Sequence, residues 1–553
     1  MTAVSSSENC KGDGMDIQIL EKYDTKPNKK NWRFCVGSGH ALLALRTDYT
    51  RQLKFIHDEL GIERVRFHGI FHDDMSTVTN LRMMLPFPGT ENFRELNFRA
   101  CGIAYDNVLA AGMKPFVEIS FMPKLLARNP DEGGFIYYRP CASLPADDEA
   151  WKDYLKQFIF FLEHRYGAEE VRSWYFEIWN EPDLGATFFH GGDAGYFHLY
   201  RISAEAIKEA DPEIRVGGPA TSGSRWIEMF RRMCEENHVP LDFLSTHQYA
   251  GDPFAGVGES EAEHQKEQED ESKPAFGADQ LAAISRKLAA VKDKTFLNGM
   301  RALLEDKSET TEIPADMFRR NSALAREQAG AYPLFYTEWG SNAIMTAATN
   351  DTAKTAAYIV KNALAVEDNM DGSSYWCFSD IFEEWHPFVE PFHGGFGLLN
   401  QDGIPKPGFW GFKLLSLCGE KRIVLPPELF DDEIGAAAFS SGKEMQILLF
   451  RQHMKNDENA DRLSRRISVE MKNPPAEVTV MKIDQDHGNP RRVWQEKYLC
   501  RNDLNQDEIA DITDISAVRE ERAAWSYENG FLHTEASLGV NDVWLILIKM
   551  ECL

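Results

Sequence analysis

The sequence predicts an α/β fold, a (β/α)8 TIM barrel with a C-terminal β-sandwich, and three observations carry that expectation. Eight apolar strand candidates alternate with amphipathic stretches between Arg33 and Asp380. Two of those strands, the fourth and the seventh, end on a glutamate. Beyond Leu417 the alternation stops, and short strands with polar breaks replace it.

Residues 1–14 are polar and carry no apolar core of a signal peptide, so they read as a disordered lead. Residues 15–30 contain a short strand pattern, Ile17–Tyr23, expected to join the distant sandwich. The barrel is expected over 31–416. Its strand candidates are Arg33–Gly39, Arg64–Ile70, Lys114–Ser120, Ser173–Pro182, Arg215–Ala220, Leu241–Tyr249, Pro333–Gly340 and Ser373–Asp380. Aromatic and β-branched residues suit strands buried on both faces. Apolar residues at helical spacing mark Tyr49–Leu60, Trp151–Tyr166 and Ala194–Ala210 as helices between them. Eight such units imply a closed parallel barrel.

One connection, 251–331, is too long for a bare loop. It holds the acidic run Glu259–Glu271 and a helical pattern from Phe276 to Val291. A helical excursion above the barrel mouth is the expectation. Beyond Leu417, the segments Ala436–Phe439, Glu444–Phe450, Ile467–Met471, Glu477–Lys482, Phe531–Glu535 and Asp542–Lys549 alternate as strands. With 15–30 they predict a sandwich over 417–553.

A net charge of −27 argues against a nucleic acid or an anionic membrane as partner, because phosphates would be repelled. No apolar run is long enough to span a bilayer. The nine cysteines are odd in number and scattered, without a C-x-x-C pair, as in a reduced cytoplasmic protein.

The fourth strand runs Trp174-Tyr-Phe-Glu-Ile-Trp-Asn-Glu-Pro182 and stops at a proline that cannot donate to a ladder. Its last groups before that stop are Asn180 and Glu181. The seventh ends Phe335-Tyr-Thr-Glu-Trp-Gly340, again delivering a carboxylate, Glu338. Strands four and seven face each other across an eight-stranded barrel. Glycosidic cleavage needs such a pair, one acid for the leaving oxygen and one carboxylate to stabilise or attack the sugar cation. Asn180 is placed to bond a sugar hydroxyl. Other strand ends offer His68, Glu118, Phe121, His247, Tyr249, Trp376 and Glu384, whose carboxylates, imidazoles and rings suit a carbohydrate. A buried network is the competing reading of Glu118 and Asp380, ordinary packing that of Phe121. His68, His72, Asp73 and Asp74 could instead hold a metal, but polar groups at a barrel mouth more often bond substrate or each other. No metal or organic cofactor is expected.

These residues closely resemble glycoside hydrolase family 39, the β-xylosidases and α-L-iduronidase. The resemblance runs through Asn31–Gly39, Arg66–Gly69 with His72–Asp74, Phe116–Pro123, Trp179–Pro182, Val216–Ala220, Tyr375–Glu384, Phe392–Leu399 and Ile404–Pro407. It implies a retaining double displacement with Glu181 as acid/base and Glu338 as nucleophile, about 5–5.5 Å apart. It further implies Asn180, His68, His247, Tyr249, Trp376 and Glu384 as substrate contacts, and a dimer or tetramer. An exo-acting β-xylosidase is the expected activity. A uronide-specific enzyme, with Lys124, Arg128 or Lys406 cradling the sugar carboxylate, and a carbohydrate-binding protein without catalysis are the alternatives.

Overall fold

The computed structural model describes residues 16–550 except 135, 186, 251–277, 305–312, 386, 427–433, 443 and 456–459. Eight strands close into a barrel: β1 (Cys35–His40), β2 (Arg64–His68), β3 (Lys114–Ile119), β4 (Tyr175–Ile178), β5 (Arg215–Thr221), β6 (Phe243–Tyr249), β7 (Leu334–Gly340) and β8 (Gly372–Tyr375). Each runs parallel to the next in chain order, and β8 returns to β1. Every residue of β6 and β7 is buried, the polar Ser245, Thr246, His247, Gln248, Thr337 and Glu338 included.

Helices at Thr47–Leu60, Asp148–Tyr166 and Gly192–Ala210 fill three of the connections and bury the apolar stripes expected of them. Asp147 caps the second, its carboxylate accepting from the Ala150 N–H at 2.9 Å. At the N-terminal ends of the strands, Cys35, Phe116, Phe243 and Phe335 close the barrel bottom with Phe34 and Tyr175. The rings pack this end closed, with the Arg64 and Arg215 guanidiniums stacked on them from outside, and the buried charges Arg66, Glu118, Glu177 and Glu338 lie toward the other end.

Strand β4 departs from expectation. Its ladder ends at Ile178, well before Pro182. Trp179 takes φ 74° and Glu181 φ 40°, so the chain has left the extended region before the proline arrives. The turn is held by the Trp179 Nε1–H donating to Phe188 O at 2.9 Å and the Glu181 N–H donating to Ala220 O at 2.9 Å.

The acidic run Glu259–Glu271 and the lead 1–14 lie outside the described residues. Within the long connection, helices form at Ala278–Ala290 and Phe296–Leu303. Leu297 joins the apolar cluster of Tyr249, Met345, Trp376 and Phe388, and Arg301 Nη2 reaches Glu390 Oε2 at 3.3 Å. The second helix thus sits against the loop that follows β8. Met317–Ala329 returns to the barrel wall, Phe318 packing on Tyr336 and Trp339.

The C-terminal region holds two sheets, antiparallel throughout except for one parallel edge pair. One has seven strands and includes Thr25–Pro27 beside Lys421–Ile423. The other has four and takes in Ile17–Ile19 beside Leu463–Glu470. So 17–23 does not form one strand: only Ile17–Ile19 pairs, and a separate strand at Thr25–Pro27 joins the other sheet. Ile467, Val469, Leu532 and Leu538 face Ile447, Leu449, Val478 and Ile548 across the interior. On its other face the seven-stranded sheet packs Leu448, Leu545 and Ile483 into the barrel's own core. Two helices, Pro490–Tyr498 and Gln506–Ser516, interrupt the expected all-β run.

Candidate active site

The polar residues gather at the C-terminal ends of the barrel strands. At their base Glu118 on β3 and Glu177 on β4 are register neighbours. Two carboxylates side by side in a dry interior repel each other. Arg66 on β2 lies between them. Its Nε donates to Glu177 Oε2 at 2.6 Å, Nη1 to Glu338 Oε1 at 2.8 Å, and Nη2 to Asn180 Oδ1 at 2.8 Å, with Glu118 Oε2 also 2.8 Å from Nη2. Burial opposes the guanidinium charge, but Glu177, Glu118 and Glu338 outweigh it and raise the pKa, so Arg66 stays a cation.

Glu338 projects from the end of β7. Its Oε2 accepts from Tyr249 Oη at 2.7 Å, so each carboxylate oxygen has its own donor. Burial pushes its pKa up, while Arg66, His68 and the Tyr249 hydroxyl pull the other way. Tyr249 is itself held well above the ordinary tyrosine range by burial and by Glu338, and remains a donor.

Glu181 stands on the β4 turn, and its Oε1 is 2.9 Å from His247 Nδ1. The other ring nitrogen of His247, Nε2, faces Thr337 Oγ1 at 3.2 Å, and Thr337 in turn donates to Glu177 Oε1 at 2.8 Å. Burial, then Arg66 and His68, hold the His247 pKa well below the ordinary range. One oxygen of Glu181, one of Glu338 and one nitrogen of His247 all lie within 4.8 Å of one another. The two carboxyls therefore meet across one small gap, although the chain separates them widely.

His68 lines the same gap. Its Nδ1 is 2.6 Å from Glu118 Oε2, and its Nε2 lies 3.6 Å from Glu338 and 3.5 Å from Glu384. Burial lowers its pKa, but Glu118, with Glu338 and Glu384, raises it overall. Burial pushes Glu384 up to about 7. The Trp376 ring stands 4.8 Å from the His68 ring, in the place that Gly37 leaves open on β1, where a Cβ would strike it. Phe121 packs between Trp179 and Phe188.

Glu118 is placed differently from a group that reaches into the gap. Its side chain has no exposed surface and engages Arg66, His68 and the Ser120 hydroxyl. It steadies the residues above it. Asp380 likewise belongs to a buried network, 3.0 Å from Lys406 Nζ. Lys406 also pairs with Asp351 at 2.7 Å, so it is committed and not free to cradle a sugar carboxylate. His68 and His72 do not converge: His72 Nδ1 lies 2.9 Å from Asp74, which also faces His40 Nε2 at 3.1 Å. The trio of Glu181, His247 and Glu338 has a spacing that a cation could bridge. Glu338 already accepts from Arg66 and Tyr249, however, and the guanidinium 2.8 Å away repels a metal ion, so the set suits acid–base chemistry better.

Sequence reasoning passed over Arg66, Glu177 and Thr337 as site residues. A signal existed. Arg66, Glu118 and Glu177 are charges in the middle of apolar strands, where a buried charge must be paired.

A closed parallel barrel with two facing glutamates at the ends of its fourth and seventh strands defines a glycoside-hydrolysing enzyme of the (β/α)8 class. Residues 15–299 and 299–531 match the family profile described as Glycosyl hydrolases family 39, and the chain belongs to that family. It is 34% identical over 516 residues to a β-xylosidase of Caldicellulosiruptor saccharolyticus, covering 93% of this chain and 94% of the relative. A β-xylosidase of Geobacillus stearothermophilus is 31% identical over 530 residues, covering 94% and 93%. Among solved structures, a monomeric β-xylosidase from Caulobacter crescentus CB15 superposes with a TM-score of 0.75 at 26% identity, covering 97% of this chain and 99% of the other.

Proposed function

We propose that this enzyme is a retaining, exo-acting β-xylosidase that removes xylose from xylo-oligosaccharides or aryl xylosides. Glu338 attacks the anomeric carbon while the bond to the leaving oxygen breaks and Glu181 gives that oxygen its proton. A water then attacks the same carbon, Glu181 takes its proton, and the bond to Glu338 breaks. Two inversions leave the configuration unchanged. Asn180, His68, His247, Tyr249, Trp376 and Glu384 border the gap in which the sugar is bound. Phe121 backs its wall, and Glu118 acts from beneath it.

The observation that carries this reading is the approach of Glu181 and Glu338, with one oxygen of each within 4.8 Å. Retaining enzymes hold their carboxyls about 5–5.5 Å apart, and inverting ones about 6.5–9.5 Å. The choice of xyloside rests on two relatives named β-xylosidase that match nearly the whole chain.

A division into a barrel over 31–416 and a sandwich over 15–30 plus 417–553 is supported by the pairing of both N-terminal strands with C-terminal ones. A cytoplasmic setting fits the seven described cysteines, all free and six of them buried. Among the described residues no helix is long and apolar enough to cross a membrane.

A panel of nitrophenyl glycosides tests the sugar assignment. The β-D-xyloside should be cleaved fastest, with α-L-iduronide and β-D-glucuronide turned over at least about a hundredfold more slowly. A uronide preferred to the xyloside would overturn it.

A further inference from the structure

The sandwich carries a cleft of about 600 Å³ that the barrel chemistry does not use. It opens between the edges of the two sheets, far along the chain from either glutamate. Its walls combine flat indoles with cations. Trp525 is 39% exposed, and Trp544 lies beside it with a buried indole nitrogen that has no hydrogen-bond partner.

Three cations line the cleft, in a protein whose net charge is −27. Lys482 is committed, 2.8 Å from Glu521 and 5.0 Å from the centre of the Trp544 ring. Arg466 and Arg522 are exposed, and among the described residues neither guanidinium has an ion pair or hydrogen bond. Glu535 lies directly across the ladder from Arg466 yet forms no ion pair with it. Guanidinium forks left open beside an indole face match a ligand that offers carboxylates and an apolar ring face together. The volume falls within the range of small-ligand sites of roughly 300–1,000 Å³.

We propose that this cleft binds a carboxylate-bearing saccharide, a uronic-acid unit of an acidic glycan. The Trp525 indole lies against the pyranose ring, Arg466 and Arg522 attract its carboxylate, and Glu535 accepts from hydroxyls. This goes beyond the hydrolytic reading and does not depend on which sugar the barrel cleaves.

Affinity electrophoresis of the full chain through gels containing glucuronoxylan, polygalacturonate or neutral arabinoxylan tests it. Both acidic glycans should retard the wild type, and the neutral one should do so at least about fivefold less strongly. The double variant Arg466→Gln/Arg522→Gln should lose at least about tenfold in apparent affinity. Trp525→Ala, which leaves the charge unchanged, should lose a comparable amount. Nitrophenyl xyloside hydrolysis by these variants should match the wild type, which also reports intact folding. Three results would overturn the proposal: no retardation of the wild type, equal retardation by arabinoxylan, or retardation that survives Trp525→Ala and follows charge alone.

Discussion

His247 Nδ1 lies 2.9 Å from Glu181 Oε1, and the opposite corner of the same ring faces Thr337 Oγ1 at 3.2 Å. Direction follows from the next link. Thr337 spends its only proton on Glu177 Oε1, so its oxygen accepts and His247 Nε2 carries the hydrogen. With the ring held neutral by burial and Arg66, Nδ1 is bare. The hydrogen in the 2.9 Å contact then belongs to Glu181, the protonated form that the first proposed step requires. Thr337→Val removes the acceptor that fixes this tautomer. Cleavage of alkyl xylosides, which need the acid, should fall about ten- to a hundredfold. Dinitrophenyl xylosides, whose leaving group needs no proton, should lose less than about threefold. Thr337→Ser should restore both. An equal loss on both substrates would assign Thr337 a merely structural role.

Arg66 is the group on which the buried carboxylates depend. Arg66→Lys keeps the charge but not the planar fork that reaches Glu177, Glu338 and Asn180 together. Arg66→Ala leaves Glu118, Glu177 and Glu338 buried without the cation they share. The alanine variant should lose about 3–5 kcal/mol of stability in urea unfolding, and the lysine variant less. Both should lose at least about a hundredfold in kcat/KM, since Glu338 loses one of its two donors.

Glu384 gives a pH signature. Its folded pKa of about 7 exceeds the ordinary glutamate value of 4.5, chiefly through burial. The folded state therefore holds a proton that the unfolded state has released between those two values. The stabilisation is fully present below pH 4.5 and is lost as pH rises through about 7. Glu384→Gln cannot ionise and should escape this loss. Its stability relative to wild type should improve from pH 4.5 to pH 8 by up to about 3 kcal/mol, at about 1.4 kcal/mol per pH unit. Thermal unfolding at the two pH values measures this, and an unchanged difference would contradict it.

The barrel is legible because short strand segments recur eight times between helices that keep their apolar stripes. Glu181 and Glu338 were legible because a carboxylate at a strand end has few packing reasons to be there. Arg66, Glu177 and Thr337 were not, because each acts inside a strand on a partner from another. Register decides those contacts: Glu118 faces Glu177 only once β3 and β4 are aligned. The β4 turn escaped notice because left-handed φ at a tryptophan and a glutamate has no composition signal. The two C-terminal helices were readable. Asn489 with Pro490, and the Asn505–Glu508 capping box, mark their starts, but the surrounding strands masked them.

The Trp376 ring fills the place left by Gly37, so that glycine is a steric requirement of the gap. Gly37→Ala should displace the indole and cost about 1–3 kcal/mol in stability. Xyloside KM should rise more than kcat falls. An alanine variant with wild-type kinetics and unfolding temperature would contradict this placement.

Trapping the sugar on the protein tests the facing pair most directly. Wild-type enzyme incubated with the dinitrophenyl glycoside of 2-deoxy-2-fluoroxylose is digested, and the labelled peptide is sequenced by mass spectrometry. The adduct should sit on Glu338 and should form at near wild-type rate in Glu181→Ala, since that leaving group needs no acid. Turnover without any adduct and with inverted product, or an adduct on another residue, would contradict the assignment of the two glutamates.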